Sequence, residues 1–334
     1  MPCSLLTVQI VLLEHVLKSI KLVALIIFVM LVGLGAYFWT PDLSKDKVRE
    51  QYASVESMFF QDSLGNKVHY RDQGTKDGDV LMLIHGTSAS LHTWEPLVRE
   101  LKSNYRLVSF DLPGHGLTGE TVDRRYDSGA YIRTLVDLMT HLNLSSATLI
   151  GNSLGGRIAW QAALLHPDKV KSLVLLAPSG AKRVTPAGSN IGFKIMNSAI
   201  GRYLSLRITP KILIRRSLEQ TVVDKDLVTD SMVDRYWQLL RMEGNRRAMS
   251  EVFGARRTES DSVANSVIVP INTPKLVLWG EQDRILPINM MEQFESVWSN
   301  DLFYRISDVG HLPQEEALGI VVDQLNSFCR LHSC

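Results

Sequence analysis

The chain has 334 residues, with 36 Lys and Arg against 35 Asp and Glu, a net charge of +1. That length can bury a large core as one α/β domain or two, and the balanced charge, with no basic block, argues against a nucleic-acid partner. Hydrophobic content of 45% is ordinary, and neither an internal repeat nor a compositionally disordered stretch is visible, which excludes a solenoid and a long flexible tail.

The first forty residues stand apart. Leu22 to Trp39 is eighteen residues without a charge. As a helix it is about 27 Å long, against a hydrocarbon core of roughly 30 Å. Lys18 and Lys21 precede it, and Tyr37 and Trp39 sit where an interfacial aromatic belt would lie. We read residues 1–40 as a single-pass membrane anchor with its helix near 22–39. A cleaved signal peptide is the rival, disfavoured by the long apolar run and the lack of a small-x-small site near its end. Lys45, Lys47 and Arg49 follow the span, so flanking charge does not orient it; in a bacterium the body would face the periplasm or the exterior. Residues 41–54, polar and carrying Pro41, read as a linker.

Ser57–Asp62 and Lys67–Arg71 read as paired strands around a Leu64-Gly65-Asn66 turn. Asp79–Ile84 is a nearly continuous apolar run, the pattern of a strand buried on both faces; it ends in His85-Gly86-Thr87-Ser88. A helix follows over Trp94–Leu101. The strand Arg106–Phe110 ends in Asp111-Leu112-Pro113-Gly114-His115-Gly116, and helical spacing covers Tyr131–Leu142. A strand from Ala147 then turns at Gly151-Asn152-Ser153-Leu154-Gly155 into a helix reaching about His166. Val170–Leu176 is the next strand.

Buried strands alternating with helices predict a mostly parallel sheet covered on both faces, with ligands beyond the carboxyl ends of the strands. The rhythm breaks over 181–265, where helical patterns rich in arginine predict an inserted cap. It resumes with strands at Lys275–Trp279 and Phe303–Ile306 and a closing helix at Ala317–Phe328. The core is thus expected over 55–180 and 266–334.

The chemistry collects at the strand ends. Gly-x-Ser-x-Gly between a strand and a helix holds a serine on a tight bend, where Gly151 and Gly155 leave room for the backbone. A serine hydroxyl needs a base. Of nine histidines, His311 is the candidate base: it follows a strand, sits after Gly310 and precedes Leu312-Pro313, which places it on a loop at the active edge. The base needs an orienting carboxylate; Asp283 follows the strand ending at Trp279, with Glu281 the competing choice. Backbone N–H groups of Thr87 and Leu154 are the expected oxyanion donors. His85 is expected to be structural. The three cysteines, Cys3, Cys329 and Cys334, have no zinc spacing and no disulfide framework; Cys329 and Cys334, near the C-terminal end, read as surface thiols, and cysteine usage leaves the redox compartment open.

Leu83-Ile84-His85-Gly86, Asp111 to Gly116, Gly151 to Gly156, Gly280-Glu281-Gln282-Asp283 and Gly310-His311 together resemble the α/β-hydrolase superfamily, from about residue 55 to the end. The resemblance implies a Ser153–His311–Asp283 triad, no metal or organic cofactor, and a small-molecule substrate. A serine nucleophile argues against the haloalkane dehalogenase and epoxide hydrolase branches. The anchor is similar to that of membrane-anchored monoacylglycerol lipases, and Gly-Asn-Ser-x-Gly-Gly to carbon–carbon hydrolases of ring-fission products. The latter would usually carry a glycine-richer loop where Thr87-Ser88-Ala89 stands and a tryptophan where Leu312 stands. The expectation is a serine carboxylester hydrolase for small to medium lipophilic esters; carbon–carbon hydrolysis and a non-catalytic binding protein are the alternatives. Acyl and alcohol preference and oligomeric state stay open.

Overall fold

The computed structural model describes residues 3–182, 190–259, 268–332 and 334. Eight strands form one sheet in the order β1-β2-β4-β3-β5-β6-β7-β8. The strands are β1 (Ser57–Gln61), β2 (Lys67–Gly74), β3 (Val80–Ile84), β4 (Arg106–Phe110), β5 (Ala147–Asn152), β6 (Val170–Leu176), β7 (Lys275–Gly280) and β8 (Leu302–Ile306). β1 and β2 join antiparallel at one edge, with β2 antiparallel to β4; every other pairing is parallel.

The period of two along each strand sorts its side chains into two layers. In β3, Met82 and Ile84 enter one core cluster while Leu81 and Leu83 enter the other. In β5, Leu149 and Ile150 divide in the same way, and all six of its residues are buried. Two cores on opposite faces of one sheet match the mostly parallel sheet covered on both faces that the strand–helix alternation predicts.

The helices are α1 (Cys3–Tyr37), α2 (Lys45–Tyr52), α3 (Glu95–Leu101), α4 (Ser128–His141), α5 (Leu154–Leu165), α6 (Ile191–Met196), α7 (Ala199–Ser205), α8 (Lys211–Glu219), α9 (Asp230–Leu240), α10 (Asn245–Glu259), α11 (Met291–Val297), α12 (Pro313–Glu316) and α13 (Leu318–His332). Helices α6 to α10 lie in the segment expected as an inserted cap; parts of its expected ends, 183–189 and 260–265, lie outside the described residues.

Three features depart from expectation. Helix α1 is longer than 22–39, because no proline interrupts the chain between Pro2 and Pro41. The stretch expected as linker contains α2, capped by Ser44, whose Oγ accepts from Lys47 N. Its Val48 is fully buried with Leu117, Leu239 and Met242, and a single apolar residue among charges gives no helical period to read. The chain on either side of α2 is fastened as well: Trp39 bridges Ile208 and Leu43 bridges Met242. Finally, Cys329 and Cys334 form a disulfide instead of standing as surface thiols. Past α13 the chain turns inward, so that Cys334 is buried and its carbonyl accepts from Thr148 Oγ1 at 3.2 Å.

Candidate active site

Ser153 sits between β5 and α5 with φ 55° and ψ −113°. A non-glycine residue there stores about 1–3 kcal/mol of strain and persists only where its surroundings impose it. Ser153 N donates to Leu176 O, and Ser153 O accepts from Ser179 N and Arg157 N. The neighbouring glycines are required by close approach. A Cβ on Gly151 would lie 2.3 Å from Gly155 O, and one on Gly155 would lie 1.9 Å from Ile84 O. The bend therefore rests directly on the end of β3.

His311 lies on the loop after β8. Its Nδ1 is 2.7 Å from Asp283 Oδ2, and both side chains are buried. Asp283 is fixed in turn: its Oδ1 accepts from Ile285 N at 2.7 Å and Leu286 N at 2.9 Å. An ionised carboxylate on Nδ1 selects the tautomer with the proton there and leaves Nε2 as an acceptor. Glu281, the competing carboxylate, is exposed and accepts from Ser307 Oγ instead.

Two site residues escaped the sequence reading. Asn152 Nδ2 donates to Leu176 O at 3.1 Å and His311 O at 3.0 Å, tying the serine bend to the histidine loop. Glu316 spans two segments: Oε2 accepts from Gly310 N and Oε1 from Val223 N, each at 2.6 Å. His311 N also donates to Thr221 O at 2.7 Å. The histidine loop is thus fastened directly to the chain between α8 and α9. Neither role leaves a periodic signal; the one hint for Asn152 is its place inside the Gly-x-Ser-x-Gly bend.

The β3–α3 loop carries Thr87. Next to it, a Cβ on Gly86 would meet Ser153 Cβ at 3.2 Å, so the loop lies flat against the serine. Leu154 is the first residue of α5, where unpaired N–H groups and the positive end of the helix dipole collect. His85 is fully buried, with Nδ1 on Gly86 O and Nε2 accepting from Leu112 N. Burial pushes its pKa below the ordinary imidazole value, so it stays neutral and structural. Asp111, also fully buried, accepts from Leu91 N, Leu117 N and His69 Nδ1. Burial alone would raise its carboxyl; the His69 hydrogen bond and the nearby His69, His85 and His92 outweigh that and hold it well below the carboxylate range.

Ser153, His311 and Thr87 line one cavity of about 170 Å³. Its other walls come largely from α6 to α10 and are apolar, including Phe193, Met196, Leu213, Tyr236, Met249 and Phe253. Asp283 lies behind His311. The chamber is mostly apolar with a few polar side chains in its lining, an arrangement that suits a mostly lipophilic ligand. Among the described residues, no group of three or more His, Cys, Asp or Glu could hold a metal ion.

Comparison with known proteins places this geometry in a family. The chain is 28% identical over 266 residues to an uncharacterized hydrolase, YugF, of Bacillus subtilis, covering 78% of this chain and 93% of that one. Among solved structures it resembles a meta-cleavage product hydrolase from Pseudomonas fluorescens, with TM-score 0.71, 20% identity, and coverage of 83% of this chain and 99% of that one. It also resembles a bacterial membrane phospholipase A, with TM-score 0.67, 20% identity, and coverage of 95% and 98%. The family defined by the alpha/beta hydrolase fold matches residues 79–318, from the start of β3 into α13, and the protein belongs to that family and is a hydrolase.

Proposed function

We propose that the protein is a serine carboxylester hydrolase for small to medium lipophilic esters. The observation that carries this reading is that a strained serine bend and His311, backed by Asp283, line the same mostly apolar cavity. His311 Nε2 takes the Ser153 proton as Oγ attacks the ester carbonyl. N–H groups of Thr87 and Leu154 hold the oxyanion, each worth about 3–4 kcal/mol in the transition state. Asp283 stabilises the imidazolium. The alcohol leaves with the proton from His311, and water activated by the same nitrogen cleaves the acyl-enzyme. These steps call for no cofactor. The lipophilic preference follows from the apolar walls.

Ser153→Ala should abolish turnover across p-nitrophenyl esters from acetate to palmitate, and wild-type protein should label with a fluorophosphonate. Residual activity near wild type in the variant would refute the nucleophile; absence of labelling would favour a binding protein. The likeness to a meta-cleavage product hydrolase supports a second reading, carbon–carbon hydrolysis of a ring-fission product. Side-by-side rates on a p-nitrophenyl ester and a ring-fission dienoate separate the two.

The reading extends to location. His15–Tyr37 has mean hydropathy 2.5 and none of it is buried in the fold, which supports a single-pass anchor. The Cys329–Cys334 disulfide supports a body on the oxidising side of the membrane, the orientation that flanking charge left open.

A further inference from the structure

We infer that the outer face of residues 190–218, comprising α6, α7, most of α8 and their joints, docks on an anionic phospholipid bilayer, so that a single layer of helix lies between lipid and cavity. The inference rests on the reading of α1 as a membrane anchor, and three independent observations meet in it.

The first is a short tether. Helix α1 ends at Tyr37, and Trp39 already bridges Ile208. Thr40 N donates to Arg207 O at 2.8 Å, and Thr209 N donates to Thr40 Oγ1 at 3.0 Å. The next turn of chain is held by Asp42, paired with Arg246 at 2.6 Å. One extended residue spans at most about 3.3–3.6 Å. With two chain steps of about 3.5 Å each between the end of the span and the bridge, and about 5 Å across the bridge itself, the α7–α8 joint cannot stand more than about 12 Å from where the helix leaves the lipid.

The second is exposed apolar surface at that spot. Ile200, Tyr203 and Leu204 are 75%, 75% and 47% exposed, and Ile212 is 51% exposed. Positions 200, 203 and 204 share one face of α7. Scattered exposed leucines need no explanation, but three large apolar residues on one helical face beside a membrane span form a surface that water does not favour.

The third is charge. Residues 190–218 contain six Lys and Arg and neither Asp nor Glu. Lys211 and Arg215 pair with Asp234 and Asp230 of α9; Arg207 is exposed and lies 3.9 Å from Asp42, and Lys194 and Arg216 are exposed. An acid-free basic and apolar strip is the composition that lies in the headgroup region of anionic lipid. The inner side of the same strip supplies Met196, Ile208, Leu213 and Ile214 to the cavity wall. A lipophilic substrate dissolved in the bilayer would therefore reach Ser153 by parting this layer, without crossing water.

The test uses the full chain in nanodiscs of phosphatidylglycerol with phosphatidylcholine, on a Cys3→Ser background. A nitrobenzoxadiazole label is placed at Tyr203→Cys or, as a control, at Leu165→Cys. Leu165 is 61% exposed and ends α5 at the opposite edge of the sheet from Ser153. Lipids carrying a shallow doxyl group should quench the label at 203 and spare the one at 165, and quenching at 203 should weaken in phosphatidylcholine alone. A label at 203 that stays unquenched, a control quenched equally, or equal quenching in both lipid compositions overturns the inference. A chain that fails to enter the nanodiscs overturns it together with the anchor. Quenching needs no turnover, so loss of the esterase reading leaves this result standing. For function, the double change Ile200→Asp with Leu204→Asp should lower turnover of a bilayer-dissolved ester by about tenfold, as weakened interfacial binding predicts, and leave a water-soluble short-chain ester unaffected. An equal loss on both substrates would overturn the proposed lipid route.

Discussion

His311 Nδ1 and Asp283 Oδ2 lie 2.7 Å apart, and both groups are buried. The carboxylate spends its other oxygen on two backbone N–H groups, Ile285 and Leu286, and cannot swing away. It therefore fixes both the tautomer and the direction of the imidazole. Asp283→Asn preserves the shape but presents an amide that can donate to Nδ1, which moves the imidazole proton to Nε2, where a base needs a lone pair. The expected outcome is a fall in kcat of about 10⁴ with KM little changed. Steady-state kinetics on a p-nitrophenyl ester checks it; a loss under tenfold would remove Asp283 from the mechanism.

Glu316 joins the His311 loop to the chain between α8 and α9. Its two oxygens hold Gly310 N, next to His311, and Val223 N, both at 2.6 Å. Charge-assisted bonds of this kind are worth about 1.5–3 kcal/mol each. Glu316→Ala should lower the melting temperature and lower kcat more than it raises KM, because the histidine loop loses its brace while the cavity walls remain. Glu316→Gln keeps an acceptor and should recover part of both. Wild-type kcat in the alanine variant would show that the Thr221 and Asn152 bonds suffice to hold the loop.

Most of the sheet was legible, because strands buried on both faces carry continuous apolar runs. Arg106–Phe110 and Val170–Leu176 fall where the runs place them, as does the bend at Ser153, which two glycines mark. The links between segments were not legible. Asn152 and Glu316 act by bonding to distant backbone, and a main-chain acceptor or donor has no residue identity to recognise. Helix α2 was hidden for a related reason: it is held by one buried side chain, Val48, and by flanking bridges to residues about 170 to 200 positions away. The disulfide failed differently. Spacing of five residues at a chain end is compatible with two free thiols, and the inward turn that buries Cys334 is set by packing against β5 and β6.

Glu315 should make stability depend on pH. It is partly buried, and burial raises its carboxyl above the ordinary 4.5, with Thr93 Oγ1 and Arg235 opposing and Glu95 and Glu316 reinforcing. A carboxyl whose folded pKa exceeds its unfolded one contributes stability that is fully present below 4.5 and is lost as pH rises through the folded value. Glu315→Gln cannot ionise, so the wild type should lose melting temperature relative to the variant as pH climbs from below 4.5 towards neutrality. Thermal unfolding by circular dichroism across that range measures the difference. Parallel curves would mean that Glu315 is ionised and compensated throughout.

The disulfide and the anchor together make a prediction about labelling. If α1 crosses the membrane as proposed, Cys3 lies on one side and the Cys329–Cys334 bridge on the other. Bridged sulfurs do not alkylate, and an oxidising compartment preserves the bridge. Denatured chains treated with a maleimide-polyethylene glycol should therefore gain one adduct before reduction and three after it, as the three cysteines require. Cys329→Ser should leave Cys334 open and give two adducts without reduction. Three adducts on the untreated wild type would place the body in a reducing compartment and reverse the proposed orientation. The bridge also joins the end of α13 to the buried residue that meets Thr148 and Ser172. Its loss should let the last turn of α13 fray, lowering thermal stability without altering KM, because α13 lies beneath the sheet, away from the cavity walls.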